Sequence, residues 1–304
     1  MKKNKINIGI NHQPFIIAEM SANHGNSLKN ALKLIDKAAD SGASAVKIQT
    51  FTADEMTINS SKKSFYIDDK KNLWKGQKLY KLYEKASTPR SWHKALFERA
   101  KKKNIILFST PFSENAVDFL ENFNPPLYKI ASFENNDLKL IEKVAKTKKP
   151  IIISTGMASI SQIKLIIKTI RKFSNNIIVL LKCTSSYPAP FQDLNLKTIE
   201  QMRKIFKCEV GLSDHSIGIT APILSIAYGA TVIEKHFKID EEGLDAKFSL
   251  NPNEFKKCVV ECTNAKKAIG KNYLGVVNSE KNNLKYRRSL FLIKDLKKGK
   301  KFTK

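Results

Sequence analysis

At 304 residues with 42% apolar side chains, the chain can bury the core of one large domain plus an appendage, which excludes a disordered tail protein. Its net charge of +26 is nearly all lysine, with arginine only at 90, 99, 171, 203, 287 and 288. The charge spreads over polar helix faces without interleaved aromatics, so no nucleic-acid partner is expected. No run approaches the roughly 18 apolar residues of a membrane span, and MKKNKINIGINHQP alternates Ile6, Ile8 and Ile10 with polar residues where a signal peptide would be continuous, so no membrane partner and a cytoplasmic location are expected.

After a capping segment at 1–14, short β-branched runs recur: FIIAE at 15–19, AVKIQ at 45–49, IILFST at 105–110, YKIAS at 128–132, IIIST at 151–155, IIVLLKC at 177–183, EVGLS at 209–213 and TVIEKH at 231–236. Helical patterns lie between them. One carries Leu28, Ala31, Leu32, Ile35, Ala38 and Ala39 after an Asn26-Ser27 cap, and another carries Ile160, Ile163, Ile167 and Ile170 after Ser159. A last helix begins with Asn251 as cap and Pro252 at the first helical position, with Phe255, Val259, Cys262 and Ile269 as its inner stripe. Eight βα units with strands apolar on both faces, and no glycine-rich phosphate loop, predict a parallel (β/α)8 TIM barrel over 15–270.

The connection from Gln49 to Ile105 is far longer than an ordinary βα crossover and includes LWKGQKLYKLYEKASTPRSWH, which suits a substrate-covering insertion. Past Gly270 a polar linker at 271–284 leads to a strand-like start, YRRSLFLIKD, in 285–304. Cys183, Cys208, Cys258 and Cys262 form no CxxC pair and read as reduced structural thiols.

Parallel barrels keep their chemistry at the C-terminal ends of the strands. Here those ends carry Glu19, Lys47, Gln49, Thr110, Lys129, Ser132, Glu134, Ser154, Ser185, Ser213, His215, Glu234 and His236. Residues two apart share a strand face, so Lys47 with Gln49, Ser213 with His215 and Glu234 with His236 can project together. Two lysines inside a barrel beside hydroxyls suit an anion bearing phosphate and carboxylate, whereas the plainer alternative is lysines that run outward or pair with Glu19, Glu134 or Glu234. Histidines on consecutive strands could share one divalent cation, and nitrogen and oxygen ligands without sulfur favour Mn²⁺, Mg²⁺ or Co²⁺.

The segments FIIAEMSANHGNS, AVKIQTFTADEMT, FSTPF, YKIASFE, ISTGMAS, KCTSSYPAP, VGLSDHSIG and TVIEKHF, in this order, resemble the sialic acid synthase family over 15–240. LWKGQKLYKLYEKASTP followed by WH, and CTSSYPAP, look most like its pseudaminic acid synthase branch. The resemblance implies condensation of phosphoenolpyruvate with an N-acetylated amino sugar, 2,4-diacetamido-2,4,6-trideoxy-L-altrose, in a homodimer that needs a divalent metal, usually Mn²⁺. It implies His215 and His236 as metal ligands and Lys47, Thr110, Lys129, Ser132, Ser154, Ser185 and Ser213 as phosphoenolpyruvate contacts. On the sugar side it implies Gln49, Glu134, Tyr187, Glu234 and Asp245, with Glu19 as a further acidic position; Glu19, Glu134 and Glu234 are the candidate catalytic carboxylates, and of these Glu234 or Glu19 is expected to accept the proton of the water that adds at C2.

The family pattern also implies a C-terminal antifreeze-protein-like (SAF) domain, of which 285–304 would be a truncated remnant lacking the arginine that reaches a partner's site. Leu244 before Asp245 and Arg90 in place of a tryptophan depart from the pattern. N-acetylneuraminate or legionaminic acid synthesis by the same chemistry, a Schiff-base aldolase using Lys129 or Lys47, and an inactive fragment that binds polyanions are the competing expectations.

Overall fold

A computed structural model describes residues 6–69 and 73–301. The chain divides into two compact units, Met1–Ile269 and Gly270–Lys304.

In the first unit eight strands close into a parallel barrel in sequence order: β1 (Phe15–Glu19), β2 (Ala45–Thr50), β3 (Ile106–Pro111), β4 (Tyr128–Ile130), β5 (Ile151–Ser154), β6 (Ile178–Cys183), β7 (Glu209–Asp214) and β8 (Val232–His236). The ring closes where β8 pairs with β1, Glu19 opposite His236. Around it run α1 (Leu28–Asp40), α2 (Ala53–Met56), α3 (Leu79–Ala86), α4 (His93–Lys102), α5 (Glu114–Glu121), α6 (Leu138–Lys146), α7 (Ile160–Arg171), α8 (Thr198–Phe206), α9 (Thr220–Ala227) and α10 (Pro252–Ile269). Among the described residues no helix is long and apolar enough to cross a membrane.

Local chemistry sets the helix starts. The Ser27 hydroxyl accepts from the Asn30 amide and that of Ser159 from the Gln162 amide, each satisfying a donor that the first turn leaves unpaired. Asn251 accepts from the amides of Asn253 and Glu254 ahead of α10. The predicted inner stripes need correction. In α7 Ile166 is buried and Ile160 exposed, in α1 Leu34 is buried and Leu28 only half so, and in α10 Cys258 is buried, Val259 half-buried and Ile269 exposed. The exposed Ile160 and Ile269 are terminal residues of their helices, the first of α7 and the last of α10.

Two apolar layers result. Outward-facing strand residues such as Ile16, Val46, Ile130 and Ile153 meet the helices, while Ile17, Ile106, Phe108, Leu127, Ile152, Val179 and Val232 fill the barrel's lower interior, closed beneath by Ile8. At Gly211 an added Cβ would lie 2.2 Å from the Val232 carbonyl oxygen, so no side chain fits where β7 meets β8. Above this apolar plug the inward residues turn polar. That change of character along seven of the eight strands places the site.

In the second unit a 3-10 segment, Asn278–Tyr286, is the regular element. YRRSLFLIKD forms no strand; among the described residues 287–301 the backbone is irregular, because an extended run gains nothing without a partner strand to take its amide and carbonyl groups. No antifreeze-like fold is seen in these residues.

Candidate active site at the C-terminal mouth of the barrel

Alternation along the strands aims Glu19, Lys47, Gln49, Thr110, Lys129, Ser154, Ser213 and Glu234 into one polar layer. Lys47 is 3% and Lys129 2% exposed, so neither runs outward to solvent. Lys47 Nζ lies 2.6 Å from Glu19 Oε2 and 3.6 Å from Glu234 Oε1, and donates to Thr110 Oγ1 at 3.1 Å. Lys129 Nζ stands 3.6 Å from the same Glu234 oxygen and donates to Ser154 Oγ at 2.7 Å. Ser213 Oγ donates to Glu234 Oε1, and Gln49 Nε2 donates to Glu19 Oε1 and Ser21 Oγ.

Buried charges persist only when paired, and here the pairing is unequal. Burial alone would lower both lysines. Glu19 and Glu234 overcome it at Lys47, whose pKa rises, whereas at Lys129 burial and the like charge of Lys47 win and its pKa falls. Burial opposes ionisation of Glu234 too, but Lys129, Lys47, His236 and His215 together hold it below the usual carboxylate range. One carboxylate is thus shared between two ammonium groups. Glu134 differs: burial, opposed by Lys129, pushes it up to about 7, and its buried Oε2 has no hydrogen-bond partner.

Beside this layer lie two imidazoles with ring centroids 5.3 Å apart. His215 Nδ1 faces the Thr184 carbonyl at 3.0 Å, which fixes the proton there and leaves Nε2 as the lone-pair nitrogen. His236 Nδ1 is buried without a hydrogen bond, 3.4 Å from Asp245 Oδ2. Among the described residues no group of three or more His, Cys, Asp or Glu gathers in a metal-binding arrangement. Two nitrogen donors with carboxylates nearby nevertheless fit an open divalent site that draws its remaining ligands from water and substrate.

The hydroxyls of Ser132 and Ser185 flank the turn after β5, where a Cβ on Gly156 would fall 2.6 Å from one and 2.4 Å from the other. Ser132 Oγ is buried without a partner. A backbone bare at that point lets both hydroxyls press against it, so no side chain fits there. Tyr187 packs on His215 at 4.5 Å between centroids and on Phe248 at 5.5 Å, and Phe248 in turn on His236 at 4.8 Å.

Several participants were not picked out from the sequence. Asn23 donates to the Phe237 carbonyl and Ser249 Oγ and accepts from the Asp245 amide, tying the loop after β8 to that after β1. Asn135 donates to the carbonyls of Ser154 and Gly156. Their signal was an amide residue beside an expected strand end, in SANHG and FENN. Cys183, read as a structural thiol, lies at the site with Sγ 4.0 Å from His215 Nδ1. Arg90 ties the insertion down, donating to Glu55 Oε1 at 2.7 Å and lying over the Phe119 ring.

A sequence model of the NeuB family matches residues 34–273. The chain belongs to the NeuB family. Among its NeuB relatives, the pseudaminic acid synthase of Campylobacter jejuni subsp. jejuni serotype O:2 is 46% identical over 98% of this chain and 87% of that protein. The pseudaminic acid synthase of Helicobacter pylori is 44% identical over 95% and 86%. The crystal structure of N-acetylneuraminic acid synthetase from Leptospira borgpetersenii, in complex with citrate, superposes with a TM-score of 0.82 at 34% identity, covering 95% of this chain and 96% of that one.

Proposed function

We propose that the chain is a pseudaminic acid synthase, condensing phosphoenolpyruvate with 2,4-diacetamido-2,4,6-trideoxy-L-altrose to give pseudaminic acid and phosphate. The observation that carries it is the buried layer in which Lys47 and Lys129 converge on Glu234 beside two facing imidazoles, in a chain this similar to two such synthases.

Phosphoenolpyruvate would take the lysine and hydroxyl side, with Lys47, Lys129, Thr110, Ser132, Ser154, Ser185 and Ser213 holding its phosphate and carboxylate. The sugar would take the histidine side, against Gln49, Tyr187 and Asp245. His215 and His236 would hold a divalent cation, Mn²⁺ first with Mg²⁺ or Co²⁺ as substitutes, which when bound would polarise the aldehyde oxygen. Phosphoenolpyruvate C3 then bonds to the aldehyde carbon, positive charge grows at C2, and water adds there before C–O cleavage releases phosphate. Glu19 and Glu234, held against the lysines, stabilise that charge as carboxylates. Glu134, with its pKa near neutrality and a free oxygen, is suited to take the water's proton.

Phosphate release by the purified chain with phosphoenolpyruvate, Mn²⁺ and each candidate sugar tests the reading. Turnover confined to N-acetylmannosamine or to the legionaminic acid precursor would reject the pseudaminic assignment. A soluble cytoplasmic homodimer belongs to the same reading, and a monomer in sedimentation would remove the dimer from it.

A further inference from the structure

The insertion between β2 and β3 folds back on itself: Tyr66 bridges Lys78 in antiparallel fashion, the Ile67 amide donates to the Gln77 carbonyl, and the Gly76 amide to the Ile67 carbonyl. Gly76, at φ +81°, makes the turn that an L side chain would strain. The Gln77 amide closes on the Trp74 carbonyl, which sets Trp74 in the turn ahead of Gln77. Its indole reaches across the mouth of the barrel. Nε1 points to the Leu244 carbonyl at 3.4 Å, in the loop that carries Asp245, and its ring centroid lies 5.9 Å from that of Tyr187, which packs on His215.

The mouth therefore has two unlike sides. One is the lysine, carboxylate and hydroxyl layer; the other is an aromatic wall of Phe248, Tyr187 and Trp74 rising from the imidazoles. Charge and phosphate belong to the first. An apolar wall beside a cation site suits a sugar whose aldehyde end meets the histidines and whose far end carries methyl groups.

Resting on the proposed condensation, we infer that Trp74 is a specificity-determining residue that covers the 4-acetamido and 6-deoxy methyl groups of the amino sugar with its indole face. It selects them over the hydroxyls that N-acetylmannosamine carries at the same carbons. A hydroxyl pressed against the indole would lose water without gaining a partner, whereas a methyl loses nothing.

Steady-state kinetics on the full chain test this. For Trp74→Ala, KM for the trideoxy sugar rises roughly 10-fold or more, and the kcat/KM preference over N-acetylmannosamine narrows by about the same factor, the scale on which pockets read a methyl group. KM for phosphoenolpyruvate stays within about twofold, because its binding does not use that wall. Trp74→Phe, which keeps an apolar face and removes the N–H, recovers most of the preference. A residue that only anchored the insertion through the Leu244 carbonyl would fail equally as Phe, and that outcome overturns the inference.

The chain has two tryptophans, so a Trp92→Phe variant leaves Trp74 as sole indole emitter. Its emission changes saturably on titration with the trideoxy sugar in the presence of phosphoenolpyruvate and EDTA. An unchanged emission overturns the inference even where turnover upholds the proposed reaction, and changed emission without turnover upholds the wall while rejecting the reaction.

Discussion

Glu134 is a carboxyl whose two states the fold weighs differently. Burial raises its pKa from 4.5 to about 7, so the folded protein holds a proton that the unfolded chain has already released. Stability therefore falls as pH rises from about 4.5 to about 7, by up to about 3 kcal/mol if the whole shift is realised. Glu134→Gln removes that slope: ligand-free wild type and variant should diverge in denaturant midpoint across this window, the variant being the more stable above pH 7. The same change should lower kcat on the order of 10²-fold or more if Glu134 carries the proton. A variant that keeps full turnover would remove it from the chemistry. The polar strand ends were legible because a charged residue inside an apolar run has few explanations. What could not be read was which carboxyl stays ionised, since that depends on neighbours far apart in sequence: Lys129 and Lys47 overcome burial at Glu234, whereas at Glu134 burial outweighs the same two lysines.

The histidine-bearing ends of β7 and β8 are joined behind the site by a fully buried ion pair. Lys235 Nζ meets Asp214 Oδ2 at 2.7 Å and also donates to the Ser216 carbonyl, while Asp214 Oδ1 accepts from the Ser216 amide. Each residue precedes a candidate metal ligand, so the pair fixes the register in which His215 and His236 face each other. Replacing Lys235 with Met strands a buried carboxylate and should cost about 3–5 kcal/mol, whereas Asp214→Asn with Lys235→Met should recover a large part of that loss. Thermal unfolding of Lys235→Met, Asp214→Asn and the double variant checks it; additive losses would mean that the two groups do not interact. Elements of this kind were largely legible: all eight strands fall within two residues of their expected ends, and the Ser27, Ser159 and Asn251 caps are in place. The insertion was legible as such but its contacts were not, because Trp74 and Arg90 take their meaning from Leu244 and Glu55, contacts that no local pattern encodes. YRRSLFLIKD, expected as a strand-like start, forms no strand among the described residues, because a run of apolar residues describes what a strand would bury and says nothing of a partner to pair with.

Across the whole molecule, the polar layer uses few of the charges: Lys47, Lys129, Glu19 and Glu234 largely neutralise one another, and the +26 excess is carried elsewhere. Exposed pairs such as Lys81 with Glu84 and Lys146 with Glu142 contribute little, since water and salt screen them. Even if every acid were paired, 26 of the 54 basic side chains would still repel one another in the compact state more than in the expanded chain. Salt therefore acts on repulsion first. Raising ionic strength from 0.01 to 0.15 M shortens the screening length from about 30 to about 8 Å, enough to silence lysines on opposite sides of the barrel. The melting temperature of the ligand-free chain should rise by several degrees over that range in sodium chloride, with Lys235→Met showing the same rise because its loss lies in a buried pair that salt does not reach. A melting temperature that falls with salt would mean that attractive pairs dominate the surface, and the lysine excess would then require a partner of opposite charge to explain it.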